Sequence, residues 1–316
     1  MNQLNPEGGS GSVVAVENLI KCYGEVRAVD DISFRVMRGE VFGMLGPNGA
    51  GKTTTVEIIE GLRTADSGNV SVLGLDVSRV PAKIKQRIGV QLQAPSLLPL
   101  LSVQEMLGLF GRFYRTRLQI DHLLELLSLT ESRKTLVRNL SGGQQQRLSV
   151  ALALVNDPDI AFLDEPTTGL DPQARRGLWT VIEEMRAKGK TIFLTTHYME
   201  EAERLCDRVA VIDHGKIIAL NSPSALIDSY FEETAIQFEM EPAPLQEDLT
   251  GLKGATSVAI EGSEVIVYSV DIPATMAAIL AFAGERGMRG GLRNLSVRRA
   301  TLEDVFLKLT GRRIRE

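Results

Sequence analysis

The sequence predicts an α/β protein with a largely parallel β-sheet and a helical insert, followed by a small α+β region. Continuous apolar runs, typical of strands buried on both faces, alternate with segments of helical spacing. A glycine-rich stretch at residues 46–54 separates one such run from a helical pattern, and the pattern changes again at Asn221, Ser222 and Pro223. We therefore expect a flexible tail at residues 1–12, a first domain at residues 13–225 with an insert at about residues 94–150, and a second domain at residues 228–316.

The composition limits the function. The chain has 316 residues, of which 44% are hydrophobic and 24% charged, so it is long enough for two globular domains. Its net charge of -5 argues against a protein that coats nucleic acid. Its two cysteines, Cys22 and Cys206, suit a reducing compartment, and we expect the cytoplasm. The most apolar runs, residues 148–155 and 275–283, are shorter than the roughly 20 residues that cross a bilayer.

The elements of the first domain follow from local patterns. Short apolar runs bounded by turn residues predict strands, and apolar residues three and four apart predict helices. The predicted strands are residues 13–19, 32–36, 41–45, 68–74, 88–92, 159–164, 191–195 and 208–213. The predicted helices are residues 55–60, 82–87, 104–114, 122–129 and 174–187.

The second domain shows mixed patterns. Strands are expected at residues 235–240, 256–260, 264–270 and 292–297, and helices at residues 274–286 and 301–309. Thr301 and Asp304 have the spacing of a capping box at the start of the last helix. No catalytic set is recognisable here, so we expect a dimerisation or regulatory module. Its arginines include Arg298 and Arg299, and they face either anionic lipid or, as we favour, water.

The stretch at residues 46–54 predicts a phosphate-binding loop. Glycines let successive backbone N–H groups converge on phosphate oxygens, and the following helix adds its positive end. Lys52 would reach the β- and γ-phosphates of a nucleotide, and the Thr53 hydroxyl would bind Mg²⁺. A glycine-rich turn without function is the alternative, which the flanking strand and helix disfavour. The nine residues of the loop are Gly46, Pro47, Asn48, Gly49, Ala50, Gly51, Lys52, Thr53 and Thr54.

Two carboxylates mark the end of the predicted strand at residues 159–164, where Asp164 is the last residue and Glu165 follows it. In a parallel sheet this strand end lies at the same edge as the phosphate loop. Asp164 would then hold the hydration shell of Mg²⁺, and Glu165 would accept a proton from the attacking water. The alternative is an exposed acidic turn before Pro166.

A second glycine-rich segment, residues 140–144, precedes another helical pattern. Ser141 is a good N-cap, but Gly142 and Gly143 exceed what a cap requires. They suggest a ligand close to the backbone N–H groups of a helix N-terminus, with Gln144 beside it. Because one nucleotide needs only one such loop, we expect this segment to address a nucleotide held by another subunit.

These motifs together resemble the nucleotide-binding subunit of an ATP-binding cassette (ABC) transporter. The matching stretches are GPNGAGKTT at residues 46–54, LSGGQQQR at 140–147, FLDEP at 162–166 and TTGLD at 167–171. The resemblance covers residues 13–225 and implies a P-loop ATPase cassette that binds ATP and Mg²⁺. It also implies a separate membrane permease, with this chain bound at the cytoplasmic face of the membrane, and no nucleic acid as partner. A second ATP-binding subunit is implied as well; we expect a homodimer because every motif is intact, and a heterodimer with a sister ATPase is the alternative.

The resemblance assigns four further residues. Tyr23 is similar to the aromatic that stacks on adenine, and Gln93 to the glutamine that contacts Mg²⁺ and communicates with the permease. Asp171 matches the loop that contacts the other subunit, and His197 the histidine that contacts the γ-phosphate and orients Glu165. Taken alone, Tyr23 would be a half-buried turn residue, Gln93 a strand-end amide and His197 a structural histidine.

Leucines 97, 98, 100 and 101 follow Gln93 closely. They either form one wall of a groove for a helix of the permease or pack beneath the next helix, and the sequence favours neither.

Residues 56–63 and 301–311 resemble ATP-binding subunits of the daunorubicin-resistance type of exporter, so we expect export of a drug, lipid or polysaccharide-like cargo.

The main alternative is a soluble cassette ATPase in translation or DNA repair. Such proteins usually carry two cassettes or a long coiled coil, which this chain lacks. A GTPase switch is disfavoured because the Asn-Lys-x-Asp motif is absent, and an ATP-gated scaffold because Glu165 and His197 are intact.

Overall fold

The computed structural model describes residues 11–91, 97–231, 234–285 and 292–311. These residues form two compact units that divide between Pro223 and Ser224.

The first unit alternates strands and helices. Its strands are β1 (Ser12–Tyr23), β2 (Val26–Met37), β3 (Val41–Leu45), β4 (Ser67–Val72), β5 (Leu75–Asp76), β6 (Ile88–Gln91), β7 (Ile160–Asp164), β8 (Thr191–Thr196), β9 (Arg208–Asp213) and β10 (Lys216–Asn221). Its α-helices are α1 (Lys52–Ile59), α2 (Pro81–Lys85), α3 (Val103–Gly111), α4 (Ile120–Leu126), α5 (Gly142–Leu154), α6 (Pro172–Ala187) and α7 (Met199–Leu205).

A six-stranded sheet forms the centre of this unit, in the order β10-β9-β3-β8-β7-β6. The five strands from β9 to β6 are parallel, and only β10 runs against them. Every residue of β3, β7 and β8 is buried, as expected for strands covered on both faces. The predicted largely parallel sheet is therefore confirmed, and the carboxyl ends of β3, β7 and β8 lie at one edge.

A second, antiparallel sheet has the order β2-β1-β4-β5. Strands corresponding to β1, β2 and β4 were predicted, but not their separate sheet, and the predicted β1 and β2 were too short. Both strands have 12 residues and alternate between buried and exposed positions over much of their length, which favours a sheet with one face in the core. Aromatic rings join the two sheets: Phe34 of β2 stacks on Phe42 of β3 at 5.3 Å, and Phe42 lies 5.3 Å from Phe193 of β8.

The predicted helical insert is present as α3, α4 and α5. A capping box starts α3, because the Ser102 backbone N–H donates to Glu105 Oε2 at 2.8 Å and the Glu105 N–H donates to Ser102 Oγ at 3.4 Å. Between α4 and α5 lie two short 3₁₀ turns, Thr130–Ser132 and Val137–Asn139.

The second unit is α+β, as predicted. It contains α8 (Pro223–Tyr230), β11 (Thr234–Glu239), α9 (Gln246–Thr250), β12 (Ala255–Glu261), β13 (Glu264–Ser269), α10 (Ile272–Glu285), β14 (Arg293–Arg299) and α11 (Leu302–Thr310). Its antiparallel sheet has the order β12-β13-β11-β14. Two apolar clusters cover it, one containing Leu249 of α9 and Ile279 of α10, the other containing Val305 of α11. Helices α8 and α9 were not predicted from the sequence.

A buried carboxylate ties the last strand to the last helix. Arg298 of β14 donates two hydrogen bonds to Asp304, which is 1% exposed, and the Tyr268 hydroxyl donates a third at 2.9 Å. The Thr301 N–H donates to Asp304 Oδ2 at 2.8 Å, so the predicted capping box is formed. Burial alone raises the pKa of Asp304, but the Arg298 guanidinium holds it below its usual value. The paired charge thereby fixes α11 on the sheet.

Candidate nucleotide-binding site

The glycine-rich loop connects β3 to α1. Two of its glycines are required by close approaches of the backbone. A Cβ at Gly46 would lie 2.3 Å from the carbonyl oxygen of Ile212, and one at Gly51 would lie 2.2 Å from that of Ala28. Gly51 also has a φ of 106°, in the left-handed region that favours glycine. The sequence thus shapes this loop through backbone contacts that no larger residue allows.

Lys52, at the start of α1, points back into the loop. Its Nζ donates to the carbonyl oxygens of Gly46 at 2.8 Å and Pro47 at 3.2 Å. The same Nζ lies 3.3 Å from Oε1 of Glu165, and both side chains are almost completely buried. Burial lowers the pKa of Lys52, and the nearby Glu165 carboxylate opposes that shift.

Asp164 ends β7 next to the loop. The Thr53 hydroxyl donates to its Oδ2 at 3.3 Å, and the Thr195 hydroxyl donates to its Oδ1. Burial raises the pKa of Asp164, although both hydroxyls oppose the shift. The Gln91 side chain donates to the Asp164 carbonyl oxygen at 3.3 Å, so β6 also supports this strand end. The result is a cluster of hard oxygen atoms beside the first turn of α1.

Glu165 directly follows β7, with a backbone φ of 48° that is uncommon outside glycine. Its N–H donates to Thr195 Oγ1 at 3.0 Å, which fixes this conformation. Its Oε2 lies 3.2 Å from His197 Nδ1 and accepts a hydrogen bond of 3.2 Å from the Thr168 hydroxyl. The contact with His197 is the main cause that lowers the pKa of Glu165 to about 2, and Lys52 contributes as well. The carboxylate is therefore ionised at neutral pH.

The strand ends thus bring five of the sequence-predicted residues together: Lys52, Thr53, Asp164, Glu165 and His197. Three supporting residues were not among those expected from the sequence: Thr168 and Thr195 donate to the two carboxylates, and Gln91 donates to the Asp164 carbonyl oxygen. The pairing of β7 with β8 places Thr195 directly opposite Asp164, so strand register would have found that residue.

The segment at residues 140–144 begins α5. Ser141 is its N-cap, and a reciprocal pair of hydrogen bonds with Gln144 forms a capping box. Ser141 and Gly142 are exposed, and a Cβ added at Gly142 would meet nothing within 4 Å. Packing within this chain therefore does not explain the glycine at 142. The exposed helix N-terminus has the free N–H groups that favour an anion.

The other predicted site residues lie outside this cluster. Asp171 caps α6, because its Oδ1 accepts from the N–H groups of Gln173 and Ala174 at 2.9 Å each. Tyr23 ends β1 with 42% of its surface exposed, and the Arg63 guanidinium lies 5.3 Å from its ring centre. Within the phosphate loop, Asn48 and Gly49 are exposed, Ala50 is buried and Thr54 is partly buried.

Gln93 lies outside the described residues. Of the leucines that follow it, Leu98 is 45% and Leu100 is 68% exposed. Because these two side chains are exposed, they do not pack beneath the next helix. Their exposure therefore disfavours packing as the explanation for the leucine-rich segment.

Comparisons with known proteins identify the family. The family model described as "ABC transporter" matches residues 29–168. The Nod factor export ATP-binding protein I of Ralstonia nicotianae is 42% identical over 316 residues, which cover 98% of each chain. This chain belongs to the ABC transporter family. The protein of the same name from Burkholderia lata is 44% identical over 305 residues, which cover 95% of this chain and 97% of that protein.

Solved structures of ABC cassettes agree. A dimeric ATP-binding cassette in a post-hydrolysis state bound to ADP and Pi has a TM-score of 0.62 and 28% identity. The aligned region covers 66% of this chain and 98% of the solved chain. The protein is therefore an ATP-binding subunit and an ATPase of the ABC transporter type. Membership of this family implies dimerisation and a membrane permease as partner.

The relatives also distinguish an exporter subunit from a soluble cassette ATPase of translation or DNA repair. The relatives match over nearly their whole length and are named as export ATP-binding proteins, which does not support a role in translation or DNA repair. Both names specify Nod factor export and not drug resistance, so the finer resemblance to the daunorubicin-resistance type stays a prediction. Among the residues that the structure describes, no helix has both the length and the apolar character for a membrane span.

Proposed function

We propose that this chain is the ATP-hydrolysing subunit of an exporter and drives a separate membrane permease from the cytoplasmic face. The observation that carries the proposal is the position of the Glu165 carboxylate, which is held between Lys52 and His197 at the end of β7. The names of the relatives support export as the direction of transport. Selection of a drug, lipid or polysaccharide-like cargo then belongs to the permease.

The phosphate loop would hold the nucleotide through its backbone. The backbone N–H groups that follow Pro47 in this loop would surround the phosphates, and Lys52 would contact the β- and γ-phosphates. In that position the Lys52 ammonium turns from Glu165 towards the phosphates, and one of the causes of the low pKa of Glu165 is removed. The carboxylate then becomes a stronger base when a nucleotide is bound. Tyr23 would stack on the adenine, for which its exposed ring is suited.

The donor set at Asp164 fits Mg²⁺. The cation prefers hard oxygen ligands and keeps several water molecules, so it needs few protein ligands beside the phosphates. Thr53 Oγ1 and Asp164 Oδ2, which lie 3.3 Å apart, supply such oxygens, and Gln93 would contribute a third. Bound Mg²⁺ neutralises charge on the β- and γ-phosphates. Thr195 keeps Asp164 directed towards that position.

Glu165 would act as the general base. Its carboxylate accepts the proton of the attacking water, while His197 and Thr168 fix its orientation through Oε2. His197 would also contact the γ-phosphate.

Two copies of the chain would form the active dimer. The N-terminus of α5, with Ser141, Gly142, Gly143 and Gln144, would contact the nucleotide in the phosphate loop of the other copy, and Asp171 would lie in the same interface. The exposure of Ser141 and Gly142 supports this arrangement, as does the dimeric solved cassette. ATP closes the dimer, and hydrolysis opens it. Residues 13–225 would form this cassette, and residues 228–316 a dimerisation or regulatory module.

Removal of magnesium tests the site. We expect the purified chain to hydrolyse ATP with Mg²⁺ and to stop when EDTA is added, because the single positive charge of Lys52 offsets only part of the phosphate charge. Thr53→Ala should need a higher Mg²⁺ concentration for half-maximal turnover, since it loses a ligand oxygen, whereas Thr53→Ser should retain the wild-type requirement. Equal Mg²⁺ requirements for all three proteins would exclude Thr53 as a ligand.

A further inference from the structure

The N-terminal half of α5 lies along the segment that follows Glu165 in the same chain. The Gln146 side chain donates from Nε2 to the carbonyl oxygen of Pro166, with a distance of 2.7 Å. Pro166 is buried and is the residue next to Glu165. A short, partly buried hydrogen bond therefore joins α5 to the backbone beside the proposed base.

Two more contacts extend this connection as far as α6. A Cβ at Gly143 would lie 3.7 Å from Leu170 Cδ2 and 3.6 Å from Ala174 Cβ, so the first turn of α5 packs closely here. Ala174 belongs to the first turn of α6, where its N–H donates to the capping residue Asp171 at 2.9 Å. One face of α5 thus follows the chain from residue 166 to residue 174.

Backbone hydrogen bonds connect the residues of the segment between these contacts. The Thr168 N–H donates to the Glu165 carbonyl oxygen and the Leu170 N–H donates to that of Thr167, both at 3.2 Å. Glu165 itself has the strained φ of 48° and is fixed to Thr195 by its N–H. Because Pro166 is bonded directly to Glu165, we expect a displacement at Pro166 to change the direction of the neighbouring carboxylate.

We propose that Gln146 is a positioning residue that transmits the position of α5 to Glu165. This inference rests on the proposed dimer, in which Ser141 at the end of α5 contacts the nucleotide of the other copy. The nucleotide in one site would then set, through α5 and Gln146 of the second copy, the direction of the Glu165 carboxylate in the second site. Each ATP would thereby control hydrolysis of the other.

Two substitutions at Gln146 test the connection. Gln146→Glu keeps the shape but replaces the donating amide by an acceptor, and Gln146→Met keeps the length without a polar group. We expect kcat to fall by about 10- to 100-fold for both, because small misplacements of a catalytic group have effects of this size. The KM for ATP and the melting temperature should stay close to wild type, and the cooperative dependence of the rate on ATP concentration should disappear.

A matched control is Gln86→Glu. Gln86 also donates its side-chain amide to a carbonyl oxygen, that of Phe113 at 3.3 Å, but outside the site. This variant should retain wild-type turnover and cooperativity.

The outcomes separate the inference from the proposed function. Wild-type kcat and cooperativity in both Gln146 variants would overturn the inference alone, as would a parallel loss of ATP binding and thermal stability, which indicates a merely structural role. ATP-dependent dimerisation is measured for every protein by light scattering. A wild-type chain that binds ATP but never dimerises would overturn the proposed dimer, and the inference with it.

Discussion

Glu165→Gln should nearly abolish ATP turnover while leaving ATP binding intact. The substitution keeps the side-chain shape but removes the base, whose contribution to the rate is typically about 10²- to 10⁴-fold. It also removes one negative charge from beside Lys52, 3.3 Å away, so the repulsion of a bound γ-phosphate decreases. With hydrolysis blocked, the ATP-bound dimer should accumulate. Turnover is measured by phosphate release, and the dimer by size-exclusion chromatography with ATP and Mg²⁺.

Glu125→Gln is the control for this experiment. Glu125 is an exposed residue of α4, and its substitution removes the same charge away from the site. The control should hydrolyse ATP at the wild-type rate without accumulating a dimer. Near wild-type turnover of Glu165→Gln would remove Glu165 as the base.

Ser141→Arg should block ATP-dependent dimerisation and turnover without impairing nucleotide binding by the monomer. The exposed Ser141 begins α5, so an arginine there places bulk against the nucleotide of the other copy. The loss of the cap costs about 0.5–2 kcal/mol of stability, which affects α5 locally and not the phosphate loop. A fluorescent ATP analogue measures binding by the monomer, and light scattering measures the dimer.

Gln119→Arg provides the comparison. It places the same side chain at the N-cap of α4, an exposed position where the native side chain makes no capping hydrogen bond. This variant should dimerise normally. If Ser141→Arg instead abolished nucleotide binding by the monomer, the segment would act on the nucleotide of its own chain.

The sequence was sufficient to predict the parallel sheet and the grouping of the chemical residues, since both depend on short-range patterns. Lys52 and Thr53 lie within one uninterrupted motif, and Glu165 directly follows a continuous apolar strand. Parallel strands bring their carboxyl ends to one edge, which is where His197 meets Glu165, but only the family resemblance singled out His197 in the sequence. The capping box of Thr301 and Asp304 was predictable for the same local reason.

Other features depend on tertiary contacts that cannot be predicted from local sequence patterns. The separate antiparallel sheet follows from pairing of β1 with β4, whose residues are about 50 positions apart, and no turn signal joins them. Gln146 looks like any polar residue on a helix, and only the fold brings its amide to Pro166. Arg298 likewise looked like one of several solvated arginines, yet it pairs with the buried Asp304.

The most direct test of the transporter account is to recover the tagged chain from gently solubilised native membranes and to identify the proteins that copurify, with and without ATP and Mg²⁺. The account predicts a polytopic membrane protein whose addition raises the ATP turnover of the purified chain, because the two operate as one cycle. Recovery of ribosomes or DNA-repair proteins, without a membrane partner, would contradict the exporter function and leave the ATPase chemistry intact.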